Sequence, residues 1–428
     1  MAPLSPTAVT HVLAQLLVLV ACARAVGALA RRVGQPAVVG YVLAGVVLGP
    51  SVLGRWWPAS ASVVTPSAGG AVAPALATVG AVLLLALAGL EVDLSVVRDR
   101  SRKMPWLLAG ALVPALAVGF GLGWVLPASF VGRGTDRAAF AGLMAVALGI
   151  SSPPVMSAVL RDLGLTHRSF AQVALSVAVA TDLVGWVLLG VVVAGGHDAG
   201  AAAATALLGV AALFGATALA WWAGPRLLAR STDETQAAAG LGVVVGMALL
   251  SHVLGLEAVV GAFFAGIALR RVDGGRAVVA TVRPVVAAVL APLFFVVAGL
   301  KVDVVGLGTW STLGWTAALC VAATVAKVGG AAVPWRLAGR PRSEAAAIGA
   351  VLNVRGSLEI VLAGVGLAAG VLTEVSYTAV VVVAVVTSAL AAPLVRAALR
   401  SSDSPVASTR PTALRTSWTA RTGNSSRT

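Results

Sequence analysis

From residue 7 onward the chain alternates long apolar runs with short polar breaks. TAVTHVLAQLLVLVACARAVGALA runs until Arg31 and Arg32, and AVVGYVLAGVVLG runs until Pro50. Runs of about 18–25 residues suit helices crossing a hydrocarbon core about 30 Å thick. Thirteen such spans are predicted, near 7–29, 33–49, 71–92, 104–126, 137–160, 168–193, 199–223, 235–253, 255–270, 283–300, 309–335, 343–368 and 372–397. The fold class expected is therefore an all-α polytopic membrane protein. From about 401 the pattern stops, and SSDSPVASTRPTALRTSWTARTGNSSRT is expected to be a disordered cytoplasmic tail over 401–428.

The pattern also repeats. AGLEVDL at 88–94 returns as AGLKVDV at 298–304, and AVVGYVLAGVVLG at 37–49 returns as AVVGAFFAGIALR at 258–270. Spans 2–3 thus resemble spans 9–10, in the same order. Seven spans separate the copies, an odd number, so the second copy enters the membrane upside down. The expected layout is two inverted six-helix repeats, about 7–193 and 235–397, joined by a linker helix at 199–223. Inverted repeats are a recurring plan of secondary transporters, with the site at the repeat interface.

Composition agrees with a membrane reading. The 428 residues are 59% hydrophobic and 11% charged, against about a quarter charged in a soluble domain. The net charge of +14 raises the possibility of a nucleic-acid surface, but the basic residues are placed by topology. On the predicted spans, 23 of the 30 Lys and Arg fall on one side and four on the other. Arg24, Lys327 and Arg355 fall within spans. Basic residues favour the cytoplasmic side, which puts the N-terminus outside and the C-terminus in the cytoplasm. The expected location is the plasma membrane, and no nucleic-acid partner is expected. The first run lacks a positive start and reads as a retained span rather than a signal peptide. Cys22 and Cys320 lie in apolar runs and read as packing residues.

Ionisable groups in a bilayer are costly and need a reason. Asp182, in VALSVAVATDLVGWVLLG, lies near the centre of span 6. It is the first candidate for an ion and proton site, the alternative being a buried Asp that joins helices by hydrogen bonds. Lys327 is one of three lysines in a chain that otherwise uses arginine, and is expected to pair with Asp182 when no ion is bound. A snorkelling lysine is the alternative. Two spans carry helix-breaking sequence. GISSPPVMSAV in span 5 places Pro153 and Pro154 beside Ser151 and Ser152, and VLNVRGSLEI in span 12 holds Asn353, Arg355 and Gly356. Breaks at corresponding places in two repeats point to a transport site, although span 5 also admits a simple proline kink. Arg355 and Glu359, four apart, can also pair with each other. No HExxH or P-loop pattern marks an enzyme. The four histidines, His11, His167, His197 and His252, lie at or near span ends.

RVGQPAVVGYVLAGVVLGPS at 32–51, LLLALAGLEVDL, APLFFVVAGLKVDV and NVRGSLEIVLAGVGLAAGVLT together resemble a known family. It is that of the monovalent cation:proton antiporters of the second family, the Kef-type and NapA-like exchangers, over about residues 1–400. The resemblance implies an NhaA-like antiporter fold with crossed broken helices, a homodimer with a dimerisation part and a mobile core part, and elevator-like exchange of Na⁺ or K⁺ for H⁺. It implies no cofactor. It assigns Asp182 as the ligand of the transported cation, Lys327 as the basic residue of span 11, and Ser151–Pro154 and Asn353–Gly356 as the crossed breaks. Thr181 stands where relatives often carry Asn, Asp or Gln. A single carboxylate there implies one proton per monovalent cation, hence electroneutral exchange. No Kef-type nucleotide-binding domain is read after the spans, so no such gating is expected. The rival functions are a proton-uncoupled cation channel and a sodium-coupled organic anion symporter on a related fold.

Overall fold

Helix α1 (Pro6–Arg32) is opened by Ser5, whose hydroxyl accepts the Ala8 amide, and by a proline where the first turn needs no N–H. It begins a chain of helices in a computed structural model that describes residues 5–60, 64, 72–91, 104–193, 199–228, 232–254, 258–270, 273–302 and 304–400. Asp93, His197, Asp303 and the expected tail 401–428 lie outside the described residues. The later helices are α2 (Ala37–Leu48), α3 (Val72–Glu91), α4 (Met104–Val125), α5 (Arg137–Gly149), α6 (Pro153–Asp162) and α7 (Ser169–Val193). They continue as α8 (Ala199–Leu228), α9 (Asp233–Val253), α10 (Ala258–Leu269), α11 (Asp273–Val285) and α12 (Ala291–Leu300). The last four are α13 (Trp310–Leu337), α14 (Arg342–Leu352), α15 (Ser357–Ala368) and α16 (Glu374–Arg400).

Eight helical segments among the described residues are long and apolar enough to cross a membrane alone. The protein is a multi-pass membrane protein. The predicted spans 5 and 12 are each two helices. At 13 and 10 residues, α5 and α6 measure roughly 20 and 15 Å, so neither crosses about 30 Å of hydrocarbon by itself. The start of span 10 differs from expectation. Helix begins at Asp273, ten residues before the predicted 283, because the polar stretch DGGRAVVATVR keeps helical backbone although it ends the apolar run. A π-helical segment, Val286–Leu290, joins α11 to α12.

Packing explains the repeated phrases. α4 packs on α5 and α7, as α13 packs on α14 and α16. α2 packs on α12, and α3 on α10. At the first of these contacts a Cβ on Gly45 would lie 2.8 Å from the Gly299 Cα, and one on Gly299 would lie 2.9 Å from the Gly45 Cα. Gly89 and Gly266 face each other in the same way, at 3.1 and 3.0 Å. The four glycines are those of the duplicated AG pairs, so each phrase meets the partner phrase of the other copy. Small residues let helix backbones approach where lipid offers no hydrophobic drive between helices. α4 and α13 cross with the same reciprocity. Gly110 lies against the ring of Pro334 and the carbonyl of Gly330, and Gly330 lies against the ring of Pro114 and the carbonyl of Gly110.

A side chain at these contacts must push two backbones apart. Gly299→Leu is expected to lower stability by about 1–3 kcal/mol, the range for overpacking. Gly121→Leu, at a position with open space around it, is the control and shows no such fall. Thermal melts of the two purified variants decide it, and equal melting temperatures would refute the packing account.

Candidate ion and proton site

The two broken spans cross at their breaks. Residues 150–152 between α5 and α6, and 353–356 between α14 and α15, are not helical. Pro153 occupies the first turn of α6, where it lacks an N–H that would otherwise go unpaired. The two breaks bond to each other. Ser151 Oγ donates to the Leu352 carbonyl at 2.8 Å, and the Ser152 amide donates to the Val354 carbonyl at 3.1 Å. A Cβ on Gly356 would run into Val155 of α6, so the crossing requires a glycine there.

A helix ending inside a bilayer exposes its last carbonyls and the negative end of its dipole. In α5 the Val146 carbonyl is taken by the Ile150 amide. The next carbonyls are taken by buried cations. Arg355 donates to Ala147 at 2.8 Å and to Leu148 at 2.6 Å, and approaches Ile150 at 3.5 Å. Lys327 Nζ donates to the Gly149 carbonyl. At the opposite pole, the start of α15, Glu359 Oε2 accepts the Gly356 amide at 2.7 Å and sets a carboxylate against a positive helix end. The Arg355 backbone is fixed by Ser388 of α16, which accepts its amide at 3.2 Å and donates to its carbonyl.

The residues expected from sequence therefore come together, but with different partners. The Lys327 ammonium bonds to Gly149 rather than to Asp182. Arg355 and Glu359 do not bond to each other, because Arg355 precedes the first turn of α15 and the helical i, i+4 geometry does not reach it. Both cations serve the end of α5 instead. Sequence reasoning passed over Ser388 and Thr324. Thr324 lies one turn before Lys327 and faces the Asn353 amide at 3.4 Å. Thr324 stands three residues before Lys327 and Ser388 follows Thr387 in otherwise apolar runs, the one signal available for either.

Asp182 and Thr181 enter from the middle of α7. Asp182 is within electrostatic reach of Lys327, Glu359 and the Ser151 amide. Its Oδ1 has no hydrogen-bond partner. Thr181 Oγ1 donates to the Ala178 carbonyl at 2.7 Å, which uses its proton and leaves oxygen lone pairs to accept. Four charged side chains are buried among the described residues. Asp182 is 8% exposed, while Lys327, Arg355 and Glu359 are 0–1% exposed. Asp182 and Glu359 each keep one buried oxygen without a hydrogen-bond partner, and Asp182 is the less enclosed residue of the two. Oxygen ligands of this kind suit a hard alkali cation.

The family model described as "Sodium/hydrogen exchanger, transmembrane" matches residues 17–400. The chain belongs to the sodium/hydrogen exchanger family. It is 30% identical over 387 residues to the Na⁺/H⁺-K⁺ antiporter GerN of Bacillus cereus, covering 88% of this chain and 93% of that protein. It is 29% identical over 397 residues to Cation/H⁺ antiporter 18 of Arabidopsis thaliana, covering 90% of this chain. The chain spans about half the length of that plant relative, 48%. In fold it is similar to the sodium proton antiporter MjNhaP1 of Methanocaldococcus jannaschii, with a TM-score of 0.67, 16% identity, and coverage of 92% of this chain and 98% of that one.

These matches correct the expected placement with the Kef-type and NapA-like second family. The family model gives the sodium/hydrogen exchanger family, and the fold is similar to that of MjNhaP1. The motifs misled for a structural reason. AGLEVDL and AGLKVDV supply the glycines at the crossed helix contacts, and NVRGSLEI supplies the second helix break. Both are features of helix packing and of the helix break, so they speak to the fold rather than to one branch of it. The fold that stands is an all-α polytopic antiporter fold with apolar membrane helices and broken helices.

Proposed function

We propose that this member of the sodium/hydrogen exchanger family is a secondary active antiporter, exchanging Na⁺ or K⁺ for H⁺ by alternating access. The supporting observation is Asp182: a mid-membrane carboxylate with an unpartnered oxygen, beside a crossing whose other charges are taken up by helix ends. Asp182 binds either the proton or the cation, with Thr181, Ser151 and Ser152 as further oxygen donors. Competition for one carboxylate makes the fluxes alternate. One carboxylate per cycle makes the exchange electroneutral. Lys327 pairs with Asp182 when the site is empty, leaving the Gly149 carbonyl to do so.

The full architecture we propose is thirteen spans with the N-terminus outside, in two inverted six-helix repeats around the linker α8. The matched packing of α4, α5 and α7 with α13, α14 and α16 supports it, as do the reciprocal glycine contacts. The exchanger domain covers 1–400, and the working unit is a homodimer in the plasma membrane.

The test is exchange in liposomes with an imposed pH gradient and an interior pH dye. Na⁺, Li⁺, K⁺, Rb⁺ and a choline control are added, each with and without a potassium–valinomycin voltage clamp. Collapse of the gradient by one or more alkali cations, unaltered by the clamp, is expected. Failure of every alkali cation to move protons would sink the antiporter reading, and cation flux without protons would favour a channel.

A further inference from the structure

The molecule holds a second cluster of charge, away from the crossing. A cavity of about 330 Å³ lies between α6 and the helices α1, α2, α3, α11 and α12. Arg24 and Arg31 of α1, Arg161 of α6 and Arg283 of α11 all line it, with Asp162 as the one carboxylate among the described residues. Among those residues the formal excess is three positive charges. The remaining wall is largely apolar and includes Tyr41, Leu84 and Phe295. Arg24 sits well inside a membrane helix, where a guanidinium is costly, and its one hydrogen bond among the described residues is a long one to the Ala287 carbonyl, 3.4 Å.

This lining is wrong for a cation. A concave wall with a positive excess repels Na⁺ or K⁺ and concentrates anions. Guanidinium forks from separate helices are suited to a phosphate group, which they can hold by paired, charge-assisted hydrogen bonds. The volume suits a ligand of headgroup size, and the apolar wall beside it suits a chain attached to that head. Basic pockets between membrane helices are a physical match for anionic phospholipids.

We propose that this cavity binds a phosphate-bearing anion, and that the bound anion restrains exchange. The ligand would bridge Arg161 on α6 to Arg24 and Arg31 on α1 and Arg283 on α11. α6 is the half-helix whose first turn forms the ion crossing, so a bridge at its other end ties the crossing to α1 and α11. Alternating access requires those parts to change their relation, and occupancy opposes the change. None of the four arginines takes part in the ion site described above.

The test measures binding first, without reference to transport. Full-length protein in detergent is offered phosphatidylglycerol, phosphatidylcholine or inorganic phosphate, and adducts are read by native mass spectrometry with thermal melts alongside. Retention of phosphatidylglycerol over phosphatidylcholine, with a raised melting temperature, is expected. An equal stabilisation by inorganic phosphate would assign the site to a soluble phosphate anion, and a silent phosphate arm would assign it to the lipid. Both outcomes support the proposal. The double variant Arg161→Gln/Arg283→Gln is expected to lose about ten-fold in affinity for the preferred ligand, as two charge-assisted contacts are removed. Arg400→Gln is the control. In liposomes the preferred ligand slows wild-type exchange and leaves the double variant unaffected, which separates the site from a general surface-charge effect. The proposal is overturned if wild type binds phosphatidylglycerol and phosphate no better than phosphatidylcholine, a comparison that needs no variant. It is also overturned if a folded double variant binds as wild type does. Binding with no effect on exchange would overturn the restraint.

Discussion

Asp182→Asn abolishes cation-driven proton movement, down to the rate of protein-free liposomes. The substitution keeps size and hydrogen-bonding capacity but removes the group that holds a proton or a cation. Glu359, the other buried acid among the described residues, has its Oε2 on the Gly356 amide at the start of α15 and its Oε1 unpartnered, but at 1% exposure it is more enclosed than Asp182 at 8%. The protein should still fold, because Asp182 caps no helix and its Oδ1 has no partner to lose. The measurement is the dye assay on wild type and variant, with melting temperatures to establish equal folding. A folded variant that retains half the wild-type rate would move the site elsewhere, and Glu359 would be the next residue to replace.

Arg355→Met lowers stability by about 3–5 kcal/mol, the cost of breaking a buried charge network by removing one partner. Three carbonyls at the end of α5 depend on this guanidinium. Each buried acceptor left open costs about 1–3 kcal/mol. Arg355→Lys recovers only part of the loss, because an ammonium on a flexible stem does not span three acceptors as a planar fork does. Lys327→Met, which opens the single Gly149 carbonyl, should fall between wild type and Arg355→Met. Thermal melts in detergent rank the variants. If Arg355→Met melts with wild type, the guanidinium is not what holds the end of α5, and the account of the crossing fails with it.

The contrast between these two variants separates transport chemistry from the frame that supports it. Asp182 is the least enclosed of the four buried charges and keeps an open oxygen, so its loss should be felt in flux. Arg355 is enclosed and well bonded, so its loss should be felt in folding. Sequence reasoning grouped both as ionisable residues in a membrane, which is correct as far as cost goes. It put Asp182 first as the ion site and Arg355 at a helix break as a possible partner of Glu359, but it could not give Arg355 its acceptors, because cost alone does not say which charge meets a helix end.

The apolar period and its polar breaks made the membrane class legible, because bilayer thickness fixes the length of a crossing helix. The proline pair at 153–154 and the NVRG of 353–356 marked the helix breaks, because proline and glycine act locally on the backbone. The duplicated AG phrases marked the repeat, although not their use. That Gly45 meets Gly299 and Gly89 meets Gly266 is a matter of which helices lie side by side, and no local rule supplies it. The partners of Lys327 and Arg355 were hidden for the same reason. A guanidinium chooses among acceptors in space, and the winning acceptors were backbone carbonyls, which every residue carries and no residue letter announces. The arginine-lined cavity was invisible too, since its four arginines are spread over about 260 positions, three of them looked like ordinary topology charges, and Arg24 stood alone within a span. The sequence by itself determined what must be buried in lipid, where helices must break and which residues are too costly to be idle. Only the tertiary structure decided which of those residues neutralise a helix end and which is left open to an ion, because that depends on three-dimensional neighbours at hydrogen-bond distance.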